Sequence, residues 1–218
     1  MKLWHTIFAL MVVSFCSMTT LSAIKEATVT GITTYKPEHT LTMWYNLPAT
    51  ARSCSNPWME YALPIGTGEL GAMIMGGIME DVLQFNEKTF WAGSPTVRGA
   101  YQDFGRLTLT EMDSLRYASG KVTDYLLSLD LETAVATASW TSPDSIVYKK
   151  EYLASYPAKC IAIHLTASKP DAINLKITLE GSHGETTIYH DNEAMISTTL
   201  ETISGCAIAR VVNVGGVI

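Results

Sequence analysis

Charge is scarce in this 218-residue chain. Charged residues make up 17%, below the roughly 25% of ordinary soluble domains, and the 15 Lys and Arg are outnumbered by 21 Asp and Glu. A net charge of -6 excludes a nucleic-acid binder, because phosphates demand a basic excess. The same shortage leaves no polybasic patch for a membrane surface. The apolar run from Ile7 to Cys16 is far shorter than the ~20 residues of a membrane span. His39, His164, His183 and His190 are scattered, with no pair at i,i+4 and no ligand-like grouping, so no metal or other cofactor is expected. No Gly-x-Ser-x-Gly elbow or Cys–His arrangement marks an acyl-transfer nucleophile. The turn Pro64-Ile65-Gly66-Thr67-Gly68 lacks the Lys-Ser/Thr ending of a phosphate loop. Internal repeats and low-complexity linkers are also missing.

What is present begins with an export segment. Lys2 supplies a positive start, Ile7 to Cys16 a mostly apolar stretch, and Leu21-Ser22-Ala23 a cleavage site ending on a small residue. Residues 1–23 are therefore expected to be a signal peptide, with the protein exported to a bacterial periplasm or the extracellular space. Cys16 does not read as a lipidation site, since bulky Phe15 precedes it. Removal of the segment leaves Cys54, Cys160 and Cys206, an odd number. Cys160 and Cys206 sit in apolar runs, where a thiol usually behaves as a small buried hydrophobe, and no disulfide is expected.

From Thr28 onward, period-two alternation and β-branched residues dominate. Candidate strands are 28–34, 41–46, 70–75, 82–85, 106–111, 122–129, 134–141, 146–155, 160–167, 173–179, 186–190, 195–200 and 207–212. Turn chemistry separates them at Gly76-Gly77, Ser119-Gly120, Ser142-Pro143-Asp144-Ser145 and Lys169-Pro170-Asp171. Many short strands with such turns predict an all-β, antiparallel sandwich of two large sheets. The alanine-rich stretch 133–140 reads as one arm of a hairpin with the strand from Ile146. Residues 24–42 form a polar leader, and 43–218 a single domain.

The richest segment runs from Met43 to Gly93. It holds Trp44-Tyr45, then Trp58 and Glu60, then Ala62-Leu63-Pro64-Ile65-Gly66, Gly68 and Leu70-Gly71-Ala72-Met73, then Asn86-Glu87, Thr89, Trp91 and Gly93. Tyr101-Gln102, Phe104-Gly105, Leu129-Asp130-Leu131, Thr133-Ala134 and Ala154-Ser155-Tyr156-Pro157 continue the series. In order and spacing this set resembles the N-terminal domain of glycoside hydrolase family 95, the inverting α-L-fucosidases and their relatives, over about residues 43–180. The chain departs from that pattern at Thr67, where Asn is usual, at Lys88, where Asp is usual, and in a short 96–100 connection. The low charge content suits such a carbohydrate-handling β-protein.

The resemblance implies a sandwich followed by a linker and an (α/α)6 barrel that carries the catalytic groups. Glycoside hydrolysis needs an acid and a base flanking the bond, ~6.5–9.5 Å apart in inverting enzymes, and no position here matches either. No catalytic residue is assigned, and the chain alone is expected to be inactive. The sandwich is expected to lack its last strands after Val212-Asn213-Val214-Gly215-Gly216, leaving an unpaired apolar edge.

Asn86, Glu87 and Trp91 are the candidate substrate-binding residues. Trp91 has a face that could stack on a pyranose, and the polar pair would sit beside it. The alternative is structural: Asn86 and Thr89 cap a turn while Trp91 packs inward. Pro64 to Gly68 reads as a rigid turn, and Tyr101 to Gly105 as a strand entry with inward aromatics. Two functions follow: a non-catalytic domain that packs on the barrel and shapes the cleft for a fucosylated glycan, or a free-standing carbohydrate-binding module using Trp58 or Trp91.

Overall fold

The structure, a computed structural model, describes residues 5–8, 27–96, 98–118 and 120–218. The first strands are β1 (His5–Phe8), β2 (Val29–Gly31) and β3 (Thr42–Tyr45), followed by a one-turn helix α1 (Pro57–Glu60). Next come β4 (Leu63–Gly66), β5 (Leu70–Ile74), β6 (Glu80–Glu87), β7 (Trp91–Ala92), β8 (Ala100–Tyr101) and β9 (Gly105–Glu111). After α2 (Ser114–Ala118) lie β10 (Val122–Asp130), β11 (Val135–Thr141), β12 (Val147–Ser155), β13 (Cys160–Ala167) and β14 (Leu175–Gly181). The series closes with β15 (Ile188–His190), β16 (Glu193–Thr199), β17 (Ser204–Arg210) and β18 (Val212–Asn213).

Two sheets face each other. One runs β18-β1-β13-β12-β11-β10-β2, with β3 also paired to β10; the other runs β14-β9-β6-β5-β4. A three-stranded sheet, β15-β16-β17, and the ribbon β7-β8 complete the set. Among the described residues all pairings are antiparallel except β2 with β10. The sandwich expected from alternation is therefore present. Its interior comes from period-two burial: Ala136, Ala138 and Trp140 of β11 face Leu63 and Ile65 of β4, Ile74 of β5 and Leu83 of β6 within one core.

One polar pair crosses this core. Lys150 on β12 donates to Asp81 Oδ2 (3.0 Å) and to the Gly77 carbonyl (2.9 Å). Asp81 also accepts from the Gly77 N–H (3.0 Å) and from the Tyr152 hydroxyl. The ammonium lies 5.2 Å from the centre of the Trp140 ring. Buried charges persist only when paired and hydrogen-bonded, and this pair is both.

Strand positions read from the sequence agree to within a few residues, Cys160–Ala167 without change. The 133–155 hairpin is present, with Ser145 at φ 63° in its turn. Three expectations are corrected. Pro64 to Gly66 is not turn but strand β4, and the turn narrows to Thr67-Gly68-Glu69, where Thr67 Oγ1 accepts from the Leu70 N–H (3.0 Å). Tyr101 points outward, 65% exposed, while Phe104 is buried as expected. Cys160 and Cys206 are exposed rather than buried, and with Cys54 all three are free thiols. Residues 27–42, read as a leader, run beside β10: Ile32 donates to the Tyr125 carbonyl (3.2 Å) and His39 contacts Asp130 (2.5 Å). The expected export segment lies outside the described residues except for His5–Phe8.

Candidate functional site

The site is a groove of about 580 Å³ on the outer face of β4, β5 and β6. Its floor is set by the direct pairing of Gly66 on β4 with Gly71 on β5. Neither residue has a side chain, so a ligand can approach the backbone closely there. Trp58, Glu69, Asn86, Glu87, Lys88 and Tyr101 border the groove.

Local sequence holds each wall. Trp58 sits on α1, whose start is fixed by Asn56 and Pro57: Asn56 Oδ1 accepts from the Met59 N–H (3.2 Å), and Glu60 reaches back to the Asn56 N–H (3.2 Å). With that cap in place Trp58 is left 41% exposed. The opposite structure is built on the 85–104 region. Phe90 is buried against Phe104, ring centres 4.6 Å apart, and anchors the loop after β6. Trp91, the next residue, faces out and meets Tyr101 edge-to-face at 5.1 Å. That contact joins β7 to β8 and turns Tyr101 toward the groove.

The three residues picked from sequence fall in one neighbourhood with different surroundings. Asn86 donates to the Gln102 carbonyl (2.7 Å) and accepts from the Glu87 N–H (2.8 Å), so both ends of its amide bind backbone. Glu87 Oε2 accepts from the Thr89 N–H (2.7 Å) and the Thr89 hydroxyl. Trp91 is 45% exposed but stands behind Tyr101 rather than on the groove wall. Lys88, where the resembled pattern has Asp, pairs with Glu69 at 3.2 Å on the rim. The sequence reading did not assign Tyr101, Glu69 or Lys88 to a site. Outward Tyr101 was hidden because it neighbours inward Phe104 in an aromatic motif. Trp58 was weighed only as a stacking platform.

One group of residues with displaced proton affinities lies away from the groove, around Arg116. Burial raises the Glu111 carboxyl above its usual range and pushes the Tyr117 hydroxyl up to about 12. Tyr148 moves the same way for the same reason. Arg116 ties this cluster together, donating to Tyr148 and to the Ala172 carbonyl (2.8 Å) and pairing with Asp113 (2.9 Å). Glu111, Tyr117 and Tyr148 are buried in the interior, and none of the cluster lines the groove. Among the described residues no cluster of His, Cys, Asp and Glu could hold a metal, and no helix is long and apolar enough to cross a membrane.

Comparison with known proteins agrees with this domain. The profile described as glycosyl hydrolase family 65, N-terminal domain, matches residues 43–99 and 94–218. Alpha-L-fucosidase 2 of Arabidopsis thaliana is 32% identical over 171 residues, which covers 61% of this chain and 20% of that protein. The chain thus spans about a fifth of the length of the curated relative it matches. The resemblance to the N-terminal domain of fucosidase-type glycoside hydrolases holds, and the chain belongs to the glycosyl hydrolase family 65 N-terminal domain family.

Proposed function

We propose that this chain is the non-catalytic N-terminal domain of an exported α-L-fucosidase-like glycoside hydrolase. It packs on an (α/α)6 catalytic barrel and forms one wall of the cleft that receives a fucosylated or related glycan. The observation that carries this reading is the fucosidase relative, matched over a fifth of its length by a β-sandwich. The groove supports it: a side-chain-free floor at Gly66 and Gly71, with Trp58 and Tyr101 at its borders, suits the flat C–H face of a sugar. Asn86 and Glu87 would meet hydroxyls at the groove edge, and Trp91 would hold Tyr101 in place. The Glu69–Lys88 pair and the Thr89 contacts of Glu87 already engage nearby carboxylates, so hydrolysis is assigned to the barrel.

The test is an aryl α-L-fucoside assay on this chain alone and on this chain fused to the fucosidase relative's remaining portion. No turnover alone, and turnover in the fusion whose KM rises when Trp58 is replaced by Ala, is the expected result. Turnover by the isolated chain would sink the non-catalytic reading.

A second reading is a free-standing carbohydrate-binding module. It is favoured by the exposure of Trp58, Trp91 and Tyr101. Calorimetric titration of the chain with fucosylated oligosaccharides separates the two. Saturable binding by the isolated chain favours the module, and binding seen only in the fusion favours the cleft wall.

A further inference from the structure

Between Glu38 and Glu60 the only Asp, Glu, Lys or Arg is Arg52. The short turn Ala49–Ala51 delivers it, and its own N–H closes that turn on the Ala49 carbonyl (3.3 Å). Its guanidinium is clamped between two rings, with the Tyr45 centre 4.9 Å away and the Tyr61 centre 4.6 Å away. Nη2 donates to Asn46 Oδ1 (3.2 Å). Two aromatic contacts and a fixed hydrogen bond hold the planar fork in one orientation, so little rotamer freedom is left to lose on binding.

The clamp supplies no anion. Arg106, Arg116 and Arg210 each pair with a carboxylate. Among the described residues no carboxylate pairs with Arg52, and its buried Nε has no hydrogen-bond partner. A guanidinium carries five N–H donors, and Asn46 takes one. The residue is half-buried, so solvent still reaches it. Planar forks of this kind bind oxyanions through paired N–H···O bonds.

α1 links the clamp to the groove. Tyr61 follows Trp58 by three residues, and helical neighbours at that spacing have Cβ atoms about 5–6 Å apart. The Tyr61 N–H donates to the Pro57 carbonyl (3.0 Å), so the helix turn that presents Trp58 to the groove also sets Tyr61 against Arg52.

We propose that Arg52 is an anion subsite beside the groove, specific for a carboxylate or sulfate ester on a sugar that extends past Trp58. Tyr45, Tyr61 and Asn46 are its positioning residues. This inference rests on the glycan-groove reading and adds to it a preference for acidic glycans.

Titration calorimetry of the full chain, and of its fusion to the fucosidase relative's remaining portion, tests it with three probes. They are neutral fucosyllactose, fucosyllactose carrying a sialic-acid carboxylate, and fucosyllactose carrying a sulfate ester. At least one charged probe should bind roughly tenfold tighter than the neutral one, as expected of hydrogen bonds to a charged group. Whichever charged probe gains identifies the anion. The chain's net charge of -6 repels anions overall, so such a preference must be local. Arg52→Gln should erase the preference and leave the neutral probe's affinity unchanged, and Arg52→Lys, without the planar fork, should keep only part of it. Charged probes that bind no tighter than the neutral one overturn the subsite and leave the groove reading standing, as does a preference that survives Arg52→Gln. No binding of any probe by chain or fusion overturns both. If Arg52→Gln does not fold, phenylglyoxal labelling of the natural chain takes its place. The charged probe should slow modification of Arg52 and spare that of exposed Arg98; equal labelling of Arg52 with charged and neutral probes overturns the subsite.

Discussion

Lys150 and Asp81 form an ion pair across the two sheets with each side chain 2% exposed. β12 supplies the cation, and the start of β6 supplies the anion. The Gly77 N–H and carbonyl bind one partner each, so the pair also fixes the connection between β5 and β6. Because β5 and β6 carry the groove, a core contact reaches the candidate site.

Breaking this pair on one side leaves an uncompensated buried charge. Lys150→Met is expected to destabilise the chain by roughly 3–5 kcal/mol in urea unfolding. Adding Asp81→Asn neutralises the orphan while keeping an acceptor for Gly77 and Tyr152. The double variant should therefore recover part of the loss; equal losses in the two variants would contradict a charge-pair role.

His39 and Asp130 give a pH signature. Their hydrogen bond raises the His39 pKa above 6.5 and lowers Asp130 to about 2. The histidine contribution is complete below 6.5 and is lost as pH rises through the raised value. The aspartate contribution is complete above 3.8 and is lost as pH falls through about 2. The Tm difference between the natural chain and His39→Asn should be widest between about pH 4 and 6.5 and should narrow on both sides. A difference that stays flat from pH 2 to 9 rules this linkage out.

Trp58→Ala and Tyr101→Ala remove exposed ring faces rather than core volume. Each should weaken glycan binding, or raise KM in the fused enzyme, by roughly 3–10-fold, corresponding to about 0.5–1.5 kcal/mol per aromatic contact. The unfolding midpoint should barely move, since surface substitutions usually fall within about ±0.5 kcal/mol. Trp91→Ala should act through Tyr101, so its effect on binding should vanish in a Tyr101→Ala background. Additive losses would place Trp91 on the ligand directly.

Thiol exposure offers a check on the fold. Cys160 and Cys206 should react with Ellman's reagent in the folded chain, with Cys54, half-buried, slower. Equal reactivity of all three only after denaturation would contradict the placement of β13 and β17.

Strand alternation was legible where one face is buried and the other wet, as in β11 and β12. β4 was missed because Pro64 and Gly66 read as breakers. Only its position at the edge of the second sheet makes the proline tolerable there, with no neighbour needing its missing N–H. The cysteines misled because an apolar run does not say whether the facing position is filled. Cys160 and Cys206 both border a cavity beside β13.

The sequence by itself determined the all-β class, the strand spacing and the family, because these rest on local periodicity and ordered motifs. Tertiary structure alone decided which aromatics face outward, that Gly66 meets Gly71 under a groove, and that Lys150 crosses the core to Asp81. Those are contacts between residues distant in the chain. Their energies come from pairing and burial across sheets, and no window of sequence contains both partners.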